Sequence, residues 1–206
     1  MKVGIINVTG YAGIELARIL HGHPEAELVS VTGRSAAGQE LAEALPHLSR
    51  MSLTIEPEIT RSVDLVFSAL PQVAMTRDFH CVTQWSQLDN TWEGVTFSDL
   101  IAPAGPKLEA KFVMAHCYGG YSTNLPLFLA MEEGLLAHKQ AGDPLGMSHG
   151  WPLRLIVPSI YGWKSAKWVN GIELMANDRP GFWEQRGYHN EGDPWKEERF
   201  WPELTK

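Results

Sequence analysis

Residues 76–93 read TRDFHCVTQWSQLDNTWE, and the reading of Cys81 within them decides what the second half of the chain is. A lone cysteine is most often a small buried hydrophobe. The neighbours of Cys81 open another reading. It closes an apolar and charged run, and Thr83, Gln84, Trp85 and Ser86 follow as a polar-aromatic cluster. In such surroundings a thiol can be polarised to thiolate, which is a soft metal ligand. Core residue and metal ligand both stand at this point.

Working outward, the distribution of aromatics changes abruptly. All eight Trp lie at or after Trp85, whereas residues 1–72 hold only Tyr11 and Phe67 among the aromatics. This break places a domain boundary near Gln72. The chain of 206 residues is long enough for one medium domain or two small ones. Its formal net charge of −7 argues against nucleic acid or an anionic membrane surface as the main partner. Two cysteines, Cys81 and Cys117, make no disulfide framework and suggest reduced thiols in a cytoplasmic setting. The N-terminus MKVGIINVTG lacks a signal-peptide pattern and a twin Arg, and no apolar run is long enough to span a membrane.

In the first 72 residues, KVGIIN (2–7) reads as a buried parallel strand. Val8-Thr9-Gly10-Tyr11-Ala12-Gly13 follows as a turn, and residues 14–20 have helical spacing. Strand, Gly turn and helix make a dinucleotide-binding start, in which Gly10 and Gly13 permit close approach and the helix N-terminus faces a phosphate. Asn7 stands where such fingerprints carry their first Gly, and Asn tolerates left-handed geometry. ELVSVT (27–32) reads as a second strand and DLVFSAL (64–70) as a third. Arg34 and Ser35 lie after the second strand, where an acidic residue would contact a ribose hydroxyl. They favour a 2′-phosphate, hence NADP, unless they form an ordinary surface turn.

The second half has mixed patterning. Strands are expected over 76–83, 111–116, 153–158 and 167–175. Helices are expected from Thr96, with Ser98 as N-cap, and over 125–133. The tail from Asp178 is dense in Pro, Gly, Trp and charge, and packing of Trp183, Trp195 and Trp201 is expected to order it.

His80-Cys81-Val82-Thr83-Gln84-Trp85-Ser86 resembles the metal-ligand segment of the sulfite-oxidase-like molybdopterin oxidoreductases. Three further stretches extend the resemblance in order: GYSTNLPL (120–127), HGWPLR through YGWKSAKW (149–168), and FWEQRGYH (182–189). The resemblance implies that Cys81 is the one protein ligand to molybdenum, the rest coming from the pterin dithiolene. It implies that His149, Arg154, Ser165 and Lys167 contact the cofactor, the two cations and Ser165 at its phosphate. It implies that Tyr188 lies beside the metal, able to hydrogen-bond or relay a proton. Cys117 occupies a position near the cofactor in relatives, although a structural role is the simpler reading. Arg154 and Lys167 could instead be surface charges, His149 a turn residue and Tyr188 a packing residue.

The first half resembles the N-terminus of N-acetyl-gamma-glutamyl-phosphate reductase through VGIINVTGYAGIELARIL, VTGRSAAG and DLVFSALPQ. That family's catalytic Cys motif and substrate domain have no counterpart here, so thioester reductase chemistry is not expected. The expectation is therefore a chimera. Residues 1–72 form a partial α/β Rossmann unit for NADP, and residues 73–206 a truncated, mixed α+β molybdopterin-binding domain. The implied activity is two-electron redox with oxygen-atom transfer on a small-molecule substrate, with room for an electron-transfer partner. The rival readings are an NADP-binding fragment without catalysis and an inactive fusion product.

Overall fold

A computed structural model describes residues 1–201, and the chain divides into two units between Pro71 and Gln72. In the first unit the elements are β1 (Lys2–Ile6), α1 (Tyr11–His21), β2 (Glu27–Thr32), α2 (Leu41–Ala44), β3 (Ile55–Glu56) and β4 (Leu65–Ser68). The strands form one parallel sheet in the order β3-β2-β1-β4. The apolar run of β1 reflects its inner position, with Val3 and Ile5 wholly buried. Val31, Ile55, Ala17 and Leu20 join them in one core. At the edge strand β4, Leu65 and Val66 remain exposed.

The turn between β1 and α1 follows the sequence closely. Asn7 is left-handed at φ 61°, and its side-chain amide donates to the Ala69 carbonyl at 2.6 Å. Gly13 has no room for a side chain, because a Cβ there would sit 2.5 Å from the Asn7 carbonyl oxygen. That contact brings α1 directly against the end of β1.

The second unit contains β5 (Val73–His80), β6 (Ser86–Thr96), α3 (Phe97–Ile101), β7 (Phe112–Cys117), β8 (Ser122–Pro126), α4 (Leu127–Glu133), β9 (Leu135–Gln140), β10 (Asp143–Pro144), β11 (Arg154–Ile156) and β12 (Val169–Met175). Every pairing in it is antiparallel. One sheet runs β10-β9-β6-β5, with β11 also on β9, and a second runs β12-β7-β8. Buried Phe97, Val113, Ala115, Leu125, Leu155 and Val157 belong to the main core, which draws on both sheets and the two short helices.

Several local expectations change. Thr96, not Ser98, caps α3: its hydroxyl accepts the Asp99 N–H at 3.1 Å, while Ser98 lies inside the helix. Residues 125–126 end β8 instead of opening α4: they pair with Val113 and Phe112 of β7, and the proline ring favours an extended Leu125 before it. The segment 86–96, unassigned from sequence up to residue 95 and read as a helix start at Thr96, is the longest strand of the unit among the described residues. In the tail, Trp195 is 80% exposed, so it does not order the segment by burial. The segment closes on itself instead: Trp201 donates to the Gly187 carbonyl at 3.0 Å and His189 to the Arg199 carbonyl at 3.0 Å. Tyr188 bridges to Phe200 between them. Among the described residues no helix is long and apolar enough to cross a membrane.

Candidate active site

Cys81 sits at the tip of the β5–β6 hairpin. The Cys81 N–H donates to the Trp85 carbonyl at 2.9 Å, and the Gln84 N–H returns to the Cys81 carbonyl at 3.0 Å. This tight turn requires Gln84 to adopt φ 71°, an unfavourable conformation for a residue with a side chain. The thiol is half-buried and lies 3.1 Å from the Thr83 hydroxyl. It is therefore neither a core residue nor a fully exposed one.

Two residues before the thiol, the Phe79 ring turns inward and meets Arg154. The guanidinium carbon lies 5.0 Å from the Phe79 ring centre and 5.3 Å from that of Trp92. Arg154 is 6% exposed, so the reading of it as a surface charge falls. It donates to the His149 carbonyl at 3.3 Å, but its buried Nε has no partner, and no carboxylate pairs with it among the described residues. Burial pulls its pKa down to about 10. A buried cation with an orphaned donor and no counter-ion is equipped to receive an anion.

Lys167 completes this basic site. Its ammonium donates to the Ser148 carbonyl at 2.8 Å, and its pKa is lowered by burial and then by the charge of Arg154. The two basic residues approach because Gly150, at φ 113°, leaves space: a Cβ there would lie 3.2 Å from both the Arg154 Cβ and the Lys167 Cα. The Trp168 indole donates to the Met147 carbonyl at 2.8 Å and pins the same turn. His149 is exposed on this turn and contributes its carbonyl to Arg154. Ser165 is buried, with its hydroxyl accepting the Val157 N–H at 3.0 Å.

The hairpin tip and the basic turn are linked. The Gly162 N–H donates to the His80 carbonyl at 2.7 Å, three residues before Ser165. Tyr188 stands one aromatic contact away, its ring edge-on to Trp163 at 5.1 Å and tilted against Trp183 at 5.0 Å. Cys117, expected near the cofactor, is a buried residue. It lies in the main core, where burial pushes its thiol up to about 11, and it packs as an apolar side chain.

A buried polar network behind the site went unread in the sequence. Lys164 and Glu184 form an ion pair at 2.8 Å with both side chains wholly buried. The Lys164 ammonium also donates to the Asn124 carbonyl at 2.7 Å, and the Trp163 indole donates to Glu184 at 2.9 Å. Asn124 continues the network to Asp178 and Asn190, each at 2.8 Å. Tyr121 donates to the Trp163 carbonyl, and burial with the nearby Glu184 charge raises its pKa. The only sequence signal was a Lys and a Glu inside motifs otherwise rich in aromatics and small residues.

Among the described residues no three His, Cys, Asp or Glu side chains converge on one point. The described groups are a half-buried thiol at the hairpin tip and, on the turn bonded to that hairpin, a buried cation with an unpartnered donor.

A family model described as an oxidoreductase molybdopterin binding domain matches residues 42–183. A second, the NAD-binding domain of semialdehyde dehydrogenases, matches residues 2–80, so the two matches overlap over 42–80. The uncharacterized oxidoreductase YuiH of Bacillus subtilis is 51% identical over 134 residues, covering 64% of this chain and 67% of that protein. The mitochondrial sulfite oxidase of Rattus norvegicus is 32% identical over 110 residues, 47% of this chain and 20% of that one. An N-acetyl-gamma-glutamyl-phosphate reductase of Dehalococcoides mccartyi is 59% identical over 70 residues, 34% of this chain and 20% of that enzyme. The chain thus spans about two thirds of the length of YuiH and a fifth of the reductase. It is a chimera of two resemblances, an N-terminal NAD-binding stretch and a molybdopterin oxidoreductase region. By the larger match, the chain belongs to the oxidoreductase molybdopterin-binding domain family.

Proposed function

We propose that residues 73–206 form a molybdopterin-binding domain that catalyses two-electron redox, with oxygen-atom transfer, on a small-molecule substrate. In this reading Cys81 is the protein ligand of molybdenum. Arg154 and Lys167 hold the cofactor's phosphate, with His149 at the rim and Ser165 beneath. The observation that carries it is Arg154, a buried cation between two aromatic rings with a donor left unpartnered.

The bound cofactor supplies the redox chemistry. The chain's residues do the rest. The Cys81 thiolate gives a soft, charge-donating bond. Arg154 offers a planar fork of donors that suits a phosphate, while Phe79 and Trp92 keep water from the guanidinium. A Ser165 hydroxyl that accepts one bond still has a proton to donate. Tyr188 is the group proposed to hold or pass a proton at its phenol oxygen. The same reading would need a separate electron-transfer partner and includes a cytoplasmic setting, with both cysteines as free thiols.

The test is expression in a host that makes molybdopterin, followed by mass analysis of bound metal and pterin. Wild type should carry both. Cys81→Ser should lose redox activity towards an artificial electron acceptor and keep most of the pterin. A loaded Cys81→Ser protein with full activity would remove Cys81 from the reaction.

For residues 1–72 we propose a partial NADP-binding unit. The close approach at Gly13 and the exposed Arg34 and Ser35 beyond β2 support this reading.

A further inference from the structure

Residues 184–201 follow the stretch matched by the molybdopterin family model, and they fold back to the Cys81 turn. Arg199 directs its guanidinium at Gln84. With the amide turned so that its oxygen faces these donors, one terminal nitrogen lies 2.6 Å away and the other is also in hydrogen-bonding contact. The Arg199 Nε donates to the Tyr161 hydroxyl at 3.4 Å, and the exposed Glu197 carboxylate accepts from the same guanidinium. Tyr161 is itself fixed, buried and stacked on Trp163, with its N–H on the Gly192 carbonyl at 2.8 Å. Trp195 stands edge-on to His80 at 5.3 Å. The tail therefore touches the turn on both sides of the thiol.

This contact explains a local conflict. Gln84 holds a left-handed backbone conformation that a side chain disfavours by about 1 kcal/mol or more, and such strain persists only where surroundings over-determine it. The bond from the Cys81 N–H to the Trp85 carbonyl, which closes the turn, depends on that conformation. The two-pronged contact from Arg199 is the tertiary restraint on Gln84.

We propose that Arg199 is a positioning residue for Cys81: by clamping Gln84 it holds the turn in the conformation that presents the thiol. The proposal rests on the reading of Cys81 as the metal-ligating thiol. It assigns to the tail the task of keeping that thiol ordered before and after cofactor arrives.

The test uses the metal-free full chain and needs no activity. Iodoacetamide alkylation of Cys81 is followed by peptide mass analysis, with the buried Cys117 as an internal control for global opening. Arg199→Ala should speed Cys81 alkylation about tenfold, the response expected when a local opening becomes easier, and leave Cys117 unchanged. Gln84→Ala should do the same, and the double variant should add nothing further, because both remove one interaction. Gln84→Glu should restore the slow rate, since a carboxylate accepts the same fork. If Arg199→Ala does not fold, the Gln84 variants decide. A Cys81 rate unchanged by either alanine variant, or additive effects in the double variant, would overturn the clamp. Metal analysis of wild type separately tests the ligand reading: absent molybdenum with a working clamp would sink that reading and not this one.

Discussion

Replacing Arg154 by Met separates an anion site from an ordinary core contact. The substitution keeps the length of the side chain and removes its charge. Burial lowers the Arg154 pKa to about 10. That is more than a hundredfold below an ordinary guanidinium, and at about 1.4 kcal/mol per tenfold it disfavours the charged form by roughly 3 kcal/mol. Against this stand two ring contacts, each about 1 kcal/mol, and one hydrogen bond to the His149 carbonyl worth about 1 kcal/mol. The terms nearly cancel. Without an anion, Arg154→Met should therefore melt within about 1 kcal/mol of wild type, as apolar replacements of poorly paired buried charges commonly do. With a bound anion the two proteins diverge. At a phosphate concentration one hundred times its dissociation constant, wild type should gain about 2.7 kcal/mol, and the variant should gain almost nothing. The assay is thermal unfolding of both proteins across a phosphate titration at constant ionic strength. A variant that loses more than about 3 kcal/mol without phosphate, or that responds to phosphate as wild type does, would refute the reasoning.

Glu184→Gln should destabilise the second unit by about 3–5 kcal/mol by leaving the Lys164 ammonium buried beside a neutral partner, and adding Lys164→Met should recover much of the loss in urea unfolding. For Cys117, the folded state raises the thiol pKa from 9.0 to about 11, so its stabilisation is whole below the lower value and lost as pH rises through the upper one. Wild type should then lose melting temperature relative to Cys117→Val between those two pH values, and parallel curves would contradict this. In the first unit, Arg34→Ala should erase any preference for NADP over NAD in a nucleotide titration, leaving weak and equal binding.

What the sequence disclosed depended on how local the information was. The strand β1, the left-handed Asn7 and the crowded Gly13 could be read within a dozen residues, because a tight turn restricts composition strongly. Cys81 was legible for its neighbours, although nothing in them announced the hairpin that presents it. Ser86 to Thr96 escaped assignment as a strand because its outer half is exposed on both faces and shows no alternation. The burial of Arg154 was hidden for a different reason. The rings that cover it come from Phe79 and Trp92, which lie far away in sequence and on other strands. The Lys164–Glu184 pair and the Arg199–Gln84 contact are likewise products of tertiary folding, with no periodicity to betray them.

The β5–β6 hairpin outruns the sheet to which it belongs. Strand β9 pairs with β6 only from Trp92 to Thr96, whereas β5 continues alongside β6 as far as His80 and Ser86. Beyond Asn90 the thiol-bearing end is thus a two-stranded arm of the sheet, anchored at its root by Trp92 and held on one side by Phe79 and the Gly162 N–H on the His80 carbonyl and at its tip by side chains from the tail. Isolated two-stranded ribbons are marginal in water. Amide deuteration should therefore run as a gradient along one strand, slow at Val95 and fast at Gln87. Loading the tip with a metal would stiffen it most where it is softest, so cofactor uptake would register as lost flexibility well before it registered as a change in shape.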